Sequence, residues 1–307
     1  GLAAHASELY LGGLRTISPA AAAALALHRG DLCLEHLPHL PGRVAAHLAR
    51  HGGKLHLHGV SLLTDAAASA CGGRTGFLCL KNLRRLSPAQ ARLLAGHVGE
   101  LQLHALELDD AVAACLGAHR GALLLRVPDD LPLQRLESLV RHAGPLELPG
   151  LARLDEPRAR VLAAQAAPGG ARGLSGLFLS GVGRITPAVA AILATHRAGG
   201  LALAGLRTLS EDVARELVAH PILALDGVET LTDRVAGILA AHAGTTLSLK
   251  RLQHVGAAAL ARLRDNPGIE LPRRLLEPSV GTCGRGGLDM VPAIERIARL
   301  GEEALRR

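Results

Sequence analysis

The sequence predicts an α/β solenoid, a curved array with short parallel strands on one face and helices on the other. Three observations carry that prediction. The first is an apolar pair, written L-x-L, that recurs along almost the whole chain. The second is the spacing between successive pairs, 22 to 24 residues, with a single step of 31 between Leu146 and Leu177. The third is a helix-start signal followed by alanine and leucine inside each spacing. Self-similarity at such a period marks a repeat protein, in which each unit buries its apolar side only against its neighbours.

The strands are predicted at Leu9/Leu11, Leu32/Leu34, Leu55/Leu57, Leu78/Leu80, Leu101/Leu103, Leu123/Leu125 and Leu146/Leu148, then at Leu177/Leu179, Leu201/Leu203, Leu223/Leu225, Leu247/Leu249 and Ile269/Leu271. Alternation of apolar and other residues is the period of a strand with one buried face. Each strand must run the same way, because a helix returns the chain between them. In the unit beginning at Leu101, Leu106 turns the chain back over the core and Asp109 or Asp110 caps the helix. Ser18-Pro19, Ser87-Pro88 and Thr186-Pro187 set a capping hydroxyl before a proline at the first helical position. Thr64-Asp65, Ser210-Glu211 and Thr232-Asp233 place a carboxylate in the first turn, where the helix dipole favours it.

Thirteen residues after the first strand leucine stands a small residue: Ala22, Ala45, Ala68, Ala91, Ala114, Ala159, Ala190, Ala214 or Ala236. Three further on is an apolar one, such as Leu48, Leu94, Leu139 or Leu193. That spacing gives a narrow stripe facing the strands, and alanine lets the helix come close. Glycine usually ends the unit (Gly30, Gly52, Gly99, Gly121, Gly144, Gly199, Gly244), as expected where a helix closes in a left-handed conformation. Just before it comes a histidine: His5, His28, His51, His97, His119, His142, His196, His220 or His242. The expected role is structural, an imidazole interacting with the helix dipole and the last carbonyls.

The array is expected to span 1–271, about 12 strand units with the first truncated. Residues 272–307 then form a capping or linker segment with a helix from about Met290. The opening Leu2–Ser7 matches the end of a unit, so the chain reads as a piece of something longer. Pro168–Gly173 reads as an inserted loop, and Pro128 and Pro132 should distort the turn of their unit.

Composition limits the function classes. The 307 residues are 49 % hydrophobic but only 1 % aromatic, so leucine, valine, isoleucine and alanine must fill the interior. No apolar run approaches the roughly 18 residues of a membrane span. Net charge is +7, with much of the excess near the end of the chain, which permits acidic partners without requiring them. An exposed arginine edge (Arg15, Arg84, Arg85, Arg153, Arg184, Arg207) is interrupted by Glu107, Asp129, Asp130 and Glu229. The aromatic stacking platforms of nucleic-acid binders are missing, so nucleic acid is not the expected ligand. Five cysteines include no C-x-x-C pair, and reduced thiols are expected. No hydrolase, zinc-protease or phosphate-loop motif occurs. Gly181-Val182-Gly183 lacks the rest of a dinucleotide fingerprint. The chain is read as a non-enzyme with no cofactor.

The L-x-L-x-x-L-x-x-L segment at this period resembles the leucine-rich-repeat family, specifically bacterial 22–24-residue variants whose units end in Ala-x-x-Leu-Ala-x-His-x-Gly. The resemblance covers about Leu9 to Leu271. It implies a horseshoe or arc used in protein recognition. One position departs from it. Where the family carries a turn asparagine or cysteine, this chain has Leu14, Leu37, Val60, Leu83, Leu106, Leu151, Leu206 and Leu252.

Two rows of residues should point outward on the strand-lined face, one between the paired leucines and one two residues on. From them the candidate partner-binding residues are Tyr10, Glu35, His56, His58, Lys81, Gln102, His104, Arg126, Glu147 and Phe178. The expected partner is another protein, and the rival function is a structural spacer in a larger protein. Cys33, His56 and Cys79 fall on three successive strands, with His58 beside them, and all are chemically suited to zinc. The outer two strands lie about 10 Å apart, however, so the two cysteines reach one ion only marginally and no metal is expected.

Overall fold

The computed structural model describes residues 7–104, 107–165 and 176–276. Leu106, His5, the Pro168–Gly173 segment, Cys283 and the tail helix expected from Met290 lie outside them. The chain divides into two compact units, Gly1–Gly150 and Leu151–Arg307. The first runs β1 (Leu9–Tyr10), α1 (Pro19–Ala26), β2 (Leu32–Cys33), β3 (His39–Leu40), α2 (Gly42–Leu48), β4 (Leu55–His56), β5 (Leu62–Leu63), α3 (Asp65–Gly72) and β6 (Leu78–Leu80). It continues α4 (Pro88–Leu94), β7 (Leu101–Leu103), α5 (Asp110–Gly117), β8 (Leu123–Leu125), α6 (Leu133–Val140) and β9 (Leu146–Glu147). The second runs α7 (Glu156–Ala163), β10 (Gly176–Phe178), α8 (Pro187–Ala194), β11 (Gly200–Ala202), α9 (Glu211–Leu217), β12 (Ile222–Ala224), α10 (Asp233–Ala240), β13 (Thr246–Ser248), α11 (Ala257–Asp265), β14 (Ile269–Glu270) and α12 (Arg273–Leu276). No described helix is long and apolar enough to cross a membrane.

Each L-x-L pair forms a strand of two or three residues, and neighbours pair parallel with leucine opposite leucine. Leu32 lies against Leu55, Leu78 against Leu101, and Leu201 against Leu223. From Leu32 to Leu249 the paired leucines are at most 1 % exposed. Full burial of such a side chain stabilises by about 1.5–3 kcal/mol, so the register is firmly fixed. Slipping one residue would turn every leucine to the wrong side. Each unit is an α/β solenoid built on that register. In the first, β3 and β5 make an additional two-stranded pairing that the L-x-L pattern did not announce.

The absent turn asparagine has a physical explanation. The turn after the strand closes through the backbone: Val60 N–H donates to the Leu57 carbonyl at 3.2 Å, and Leu206 N–H to that of Leu203 at 3.1 Å. The side chain is thereby released for the core, and Val60, Leu83, Leu151 and Leu252 are completely buried.

Helix starts follow the expected chemistry. The hydroxyls or carboxylates of Ser18, Thr64, Ser87, Asp109, Thr186, Ser210 and Thr232 each accept from the backbone N–H three residues on. Ser87 and Gln90 form a reciprocal capping box. Pro132 starts α6 without a side-chain cap, as Pro41 does for α2 and Gly256 for α11. Eight of the nine alanines of the stripe are at most 1 % exposed. The ninth, Ala114, is exposed and Ala113 is buried in its place. The unit starting at Leu101 is one residue short, so its helix meets the strands one position early.

Most of the unit-ending glycines serve close approach rather than handedness. A Cβ on Gly121 would collide with the backbone of Gly99, and one on Gly144 with that of Gly121. Among the described glycines only Gly76, Gly99 and Gly199 have positive φ. Gly99, at +140°, meets both needs, because a Cβ there would also strike Gly76.

The histidines at the helix ends are buried, and all but His242 stack on a neighbour. His28, His51, His97, His119, His142, His196, His220 and His242 are all at most 3 % exposed. Ring centroids lie 6.1 Å apart for His28–His51, 5.6 Å for His119–His142 and 5.9 Å for His196–His220. Contact with carbonyls holds in part: His28 Nε2 meets Ser7 O at 2.9 Å and His242 Nδ1 meets Val218 O at 3.0 Å. The expected charge–dipole interaction does not apply to four of them. Burial lowers the pKa of His97, His196 and His220 to about 4 and that of His119 to about 3, so these rings are neutral near pH 7.

Three other residues occupy the same row. Arg74, 2 % exposed, donates to the carbonyls of Ala49, His51, Gly53 and Phe77. Gln165 meets His196 Nε2 at 3.3 Å. Asn266 donates to Ala240 O at 2.9 Å and His242 O at 2.8 Å. A polar ladder thus exists in this chain, at the helix ends rather than in the turns after the strands.

Candidate binding face and donor cluster

Strand alternation places both expected rows on the side of the sheet opposite the leucine core. Nine of the ten candidate residues belong to the first unit, and Phe178 belongs to the second. Tyr10 (62 % exposed), Glu35, Lys81 and Arg126 are exposed, and His56, His58, Gln102 and His104 are half-buried. Glu147 and Phe178 are 6 % and 4 % exposed and present little surface. In the second unit Phe178 clusters with Ala202 and Ala224. Further along that face Ser248 donates to Asp226 at 2.6 Å, and Lys250 lies 3.7 Å from both Asp226 and Glu270.

The first unit's face is electrostatically coupled. The Lys81 ammonium lies close enough to lower the pKa of His58 and of His104, after burial, and Arg126 acts on His104 in the same sense. His56 is likewise held low by burial and by His58. Its ring packs on Phe77, centroid to centroid 4.8 Å, and lies edge-on to His58 at 5.2 Å. Phe77 was not among the candidates; its position one residue before a strand leucine carries no distinguishing mark.

The three-strand alignment of Cys33, His56 and Cys79 exists as expected, with Cys33 in register with His56 and His56 with Cys79. The donor atoms that converge are different sets, however. Those of His56, His58 and Cys79 lie within 4.8 Å of one another, and so do those of Cys33, Glu35 and His58. The signal in the sequence was the pair two residues apart on one strand, His56/His58 and Cys33/Glu35, which alternation puts on the same side. All four described cysteines outside the tail, Cys33, Cys71, Cys79 and Cys115, are free thiols. Burial raises Cys71 and Cys79 to about 12, so neither is a nucleophile at neutral pH.

Arg126 also lines a cleft of about 630 Å³ with Glu107, Pro128, Asp130, Pro132 and Arg135. On the arginine edge, Arg85 pairs with Glu107 at 2.8 Å and Arg207 with Glu229 at 2.5 Å. Those pairings neutralise part of the edge.

The repeating strand–helix units, parallel and in register, have the leucine-rich-repeat fold. Among solved structures the chain is similar to an internalin from Listeria monocytogenes, at 16 % identity and a TM-score of 0.46, over 86 % of this chain and 72 % of that one. It is also similar to a leucine-rich-repeat protein from Leptospira interrogans, at 15 % identity and a TM-score of 0.32, over 86 % of this chain and 94 % of the other. No family model and no curated protein matches the sequence.

Proposed function

We propose that this chain is a noncatalytic recognition scaffold whose first unit docks another protein on its strand-lined face. The observation that carries the reading is the row of exposed or half-buried polar side chains Glu35, His58, Lys81, His104 and Arg126 on successive strands, with Tyr10, His56 and Gln102 beside it and the buried Cys33 and Cys79 between them. They are mounted on strands whose register is fixed by buried leucines. A rigid sheet presents side chains with little loss of backbone freedom on binding. Imidazole, ammonium, guanidinium and amide groups there suit a polar partner surface with acidic positions. The second unit offers Phe178, Ala202, Ala224 and Ser248, all at most 7 % exposed, on the corresponding strands. That compact lining fits a spacer better than a docking site.

Affinity capture with the full chain, compared with a variant carrying Lys81→Ala, Gln102→Ala, His104→Ala and Arg126→Ala, tests the reading. A captured protein whose affinity falls at least about tenfold in the variant, on the order of 1.4 kcal/mol, supports it. Equal capture by both forms, or capture lost only on changes to the helices, overturns it.

A further inference from the structure

Five side chains with metal-ligand chemistry meet on three adjacent strands of the first unit. On β2, β4 and β6 the register aligns Cys33, His56 and Cys79, and Glu35, His58 and Lys81 follow two residues on. We propose that His56, His58 and Cys79 bind one zinc ion, with water completing the coordination.

The donor set selects the metal class. Two imidazole nitrogens and one sulfur form a borderline-soft set suited to zinc, whereas calcium and magnesium require oxygen. The three donor atoms already lie within 4.8 Å of one another. A tetrahedral zinc, with bonds of about 2.0–2.3 Å, holds its donors roughly 3.3–3.6 Å apart. Side-chain rotation of about an ångström therefore closes the site without moving a strand. Cys33 and Cys79 sit two strands apart, about 10 Å at the backbone, so a single ion recruits one thiol only. His58 supplies the donor that a second cysteine cannot.

The surroundings are consistent with a ligand role. Phe77 packs on His56, centroid to centroid 4.8 Å, and limits its ring positions. Three protein donors leave one position open, as in zinc sites that exchange a ligand. The site rests on sheet geometry and does not depend on the partner-binding reading.

Metal-stripped, reduced full-length chain titrated with zinc against a chromophoric chelator should show one saturable equivalent. Cobalt(II) in its place should give a thiolate-to-metal charge-transfer band. Cys79→Ser should abolish the band and weaken zinc at least about 100-fold, while Cys33→Ser and Cys283→Ser leave the band in place. His58 is half-buried, so His58→Gln should keep the fold, checked by circular dichroism, and still weaken zinc at least about tenfold. Absence of saturable binding, a band that follows Cys33 or Cys283, or zinc affinity unchanged in His58→Gln would overturn the proposal.

Discussion

His97 and His119 lie ring on ring inside the first unit, with centroids 5.7 Å apart and planes 11° from parallel, 22 residues apart in the chain. His97 Nδ1 faces His119 Nε2 at 3.4 Å. Two imidazoles in that relation tolerate burial only while uncharged, since a second proton would place like charges together in a poorly solvated interior. The same holds for His196 and His220.

Acid should therefore unfold the protein earlier than carboxylate titration alone would. An unfolded histidine titrates near 6.5, and the folded values lie near 4 for His97, His196 and His220 and near 3 for His119. Between those limits the unfolded chain binds more protons, so stability is complete above about pH 6.5 and falls as pH drops towards 4. Each such group contributes a slope of about 1.4 kcal/mol per pH unit. Urea midpoints measured from pH 7.5 to 4.5 should decline steeply, and His196→Gln should flatten the decline. A midpoint constant to pH 4.5 would contradict the assignment.

Arg74 ties its own turn to the one in the preceding repeat. Arg74→Ala leaves the carbonyls of His51 and Gly53 without their donor, and should cost about 3 kcal/mol or more. Arg74→His restores the residue type found elsewhere in the row and should recover much of that loss. Thermal melts of the three proteins decide the matter; equal melting temperatures would show that the guanidinium is dispensable.

Replacing Gly121 by alanine forces a Cβ into the Gly99 backbone and should destabilise by about 1–3 kcal/mol. Gly52→Ala, at an exposed position with nothing within 4 Å of a Cβ, should change stability by less than about 0.5 kcal/mol. Chemical denaturation of both variants gives the comparison, and similar losses at the two sites would refute the close-approach explanation.

Installing the family's turn residue should harm this chain. Val60 is fully buried and its N–H already closes the turn on Leu57, so Val60→Asn puts a polar amide where an apolar side chain packs in the core. The expected loss is about 1–3 kcal/mol. A gain in denaturation midpoint would mean that an asparagine ladder can form here after all.

Much of this architecture was legible because hydrophobic period and capping chemistry act over short distances. The strand register, the caps at Ser18, Ser87 and Thr232, and the buried alanines follow from spacing alone. Ala113 did not, because a one-residue deletion before Leu123 moves the helix contact without changing the residue type. Arg74, Gln165 and Asn266 escaped notice because their row is defined by position and shared carbonyl partners, while their chemistry differs from histidine. The outward rows were read correctly as to side but not as to depth. On strands of two or three residues, side chains from adjacent units cover one another, leaving Cys33, Cys79 and Phe178 nearly dry. The convergence of His58 with Cys79 needed coordinates, since it depends on rotamers across two strands.

The neutrality of His97, His119, His196 and His220 bears on how such a chain can lengthen. Duplicating a unit duplicates whatever lies at its centre, and a permanent cation per copy would accumulate repulsion with every addition. An uncharged ring adds stacking at each junction and no net charge, so extension meets no electrostatic ceiling at neutral pH. Arg74 interrupts the first ladder once, and its charge is met by the backbone oxygens of Ala49, His51 and Gly53 in the preceding repeat.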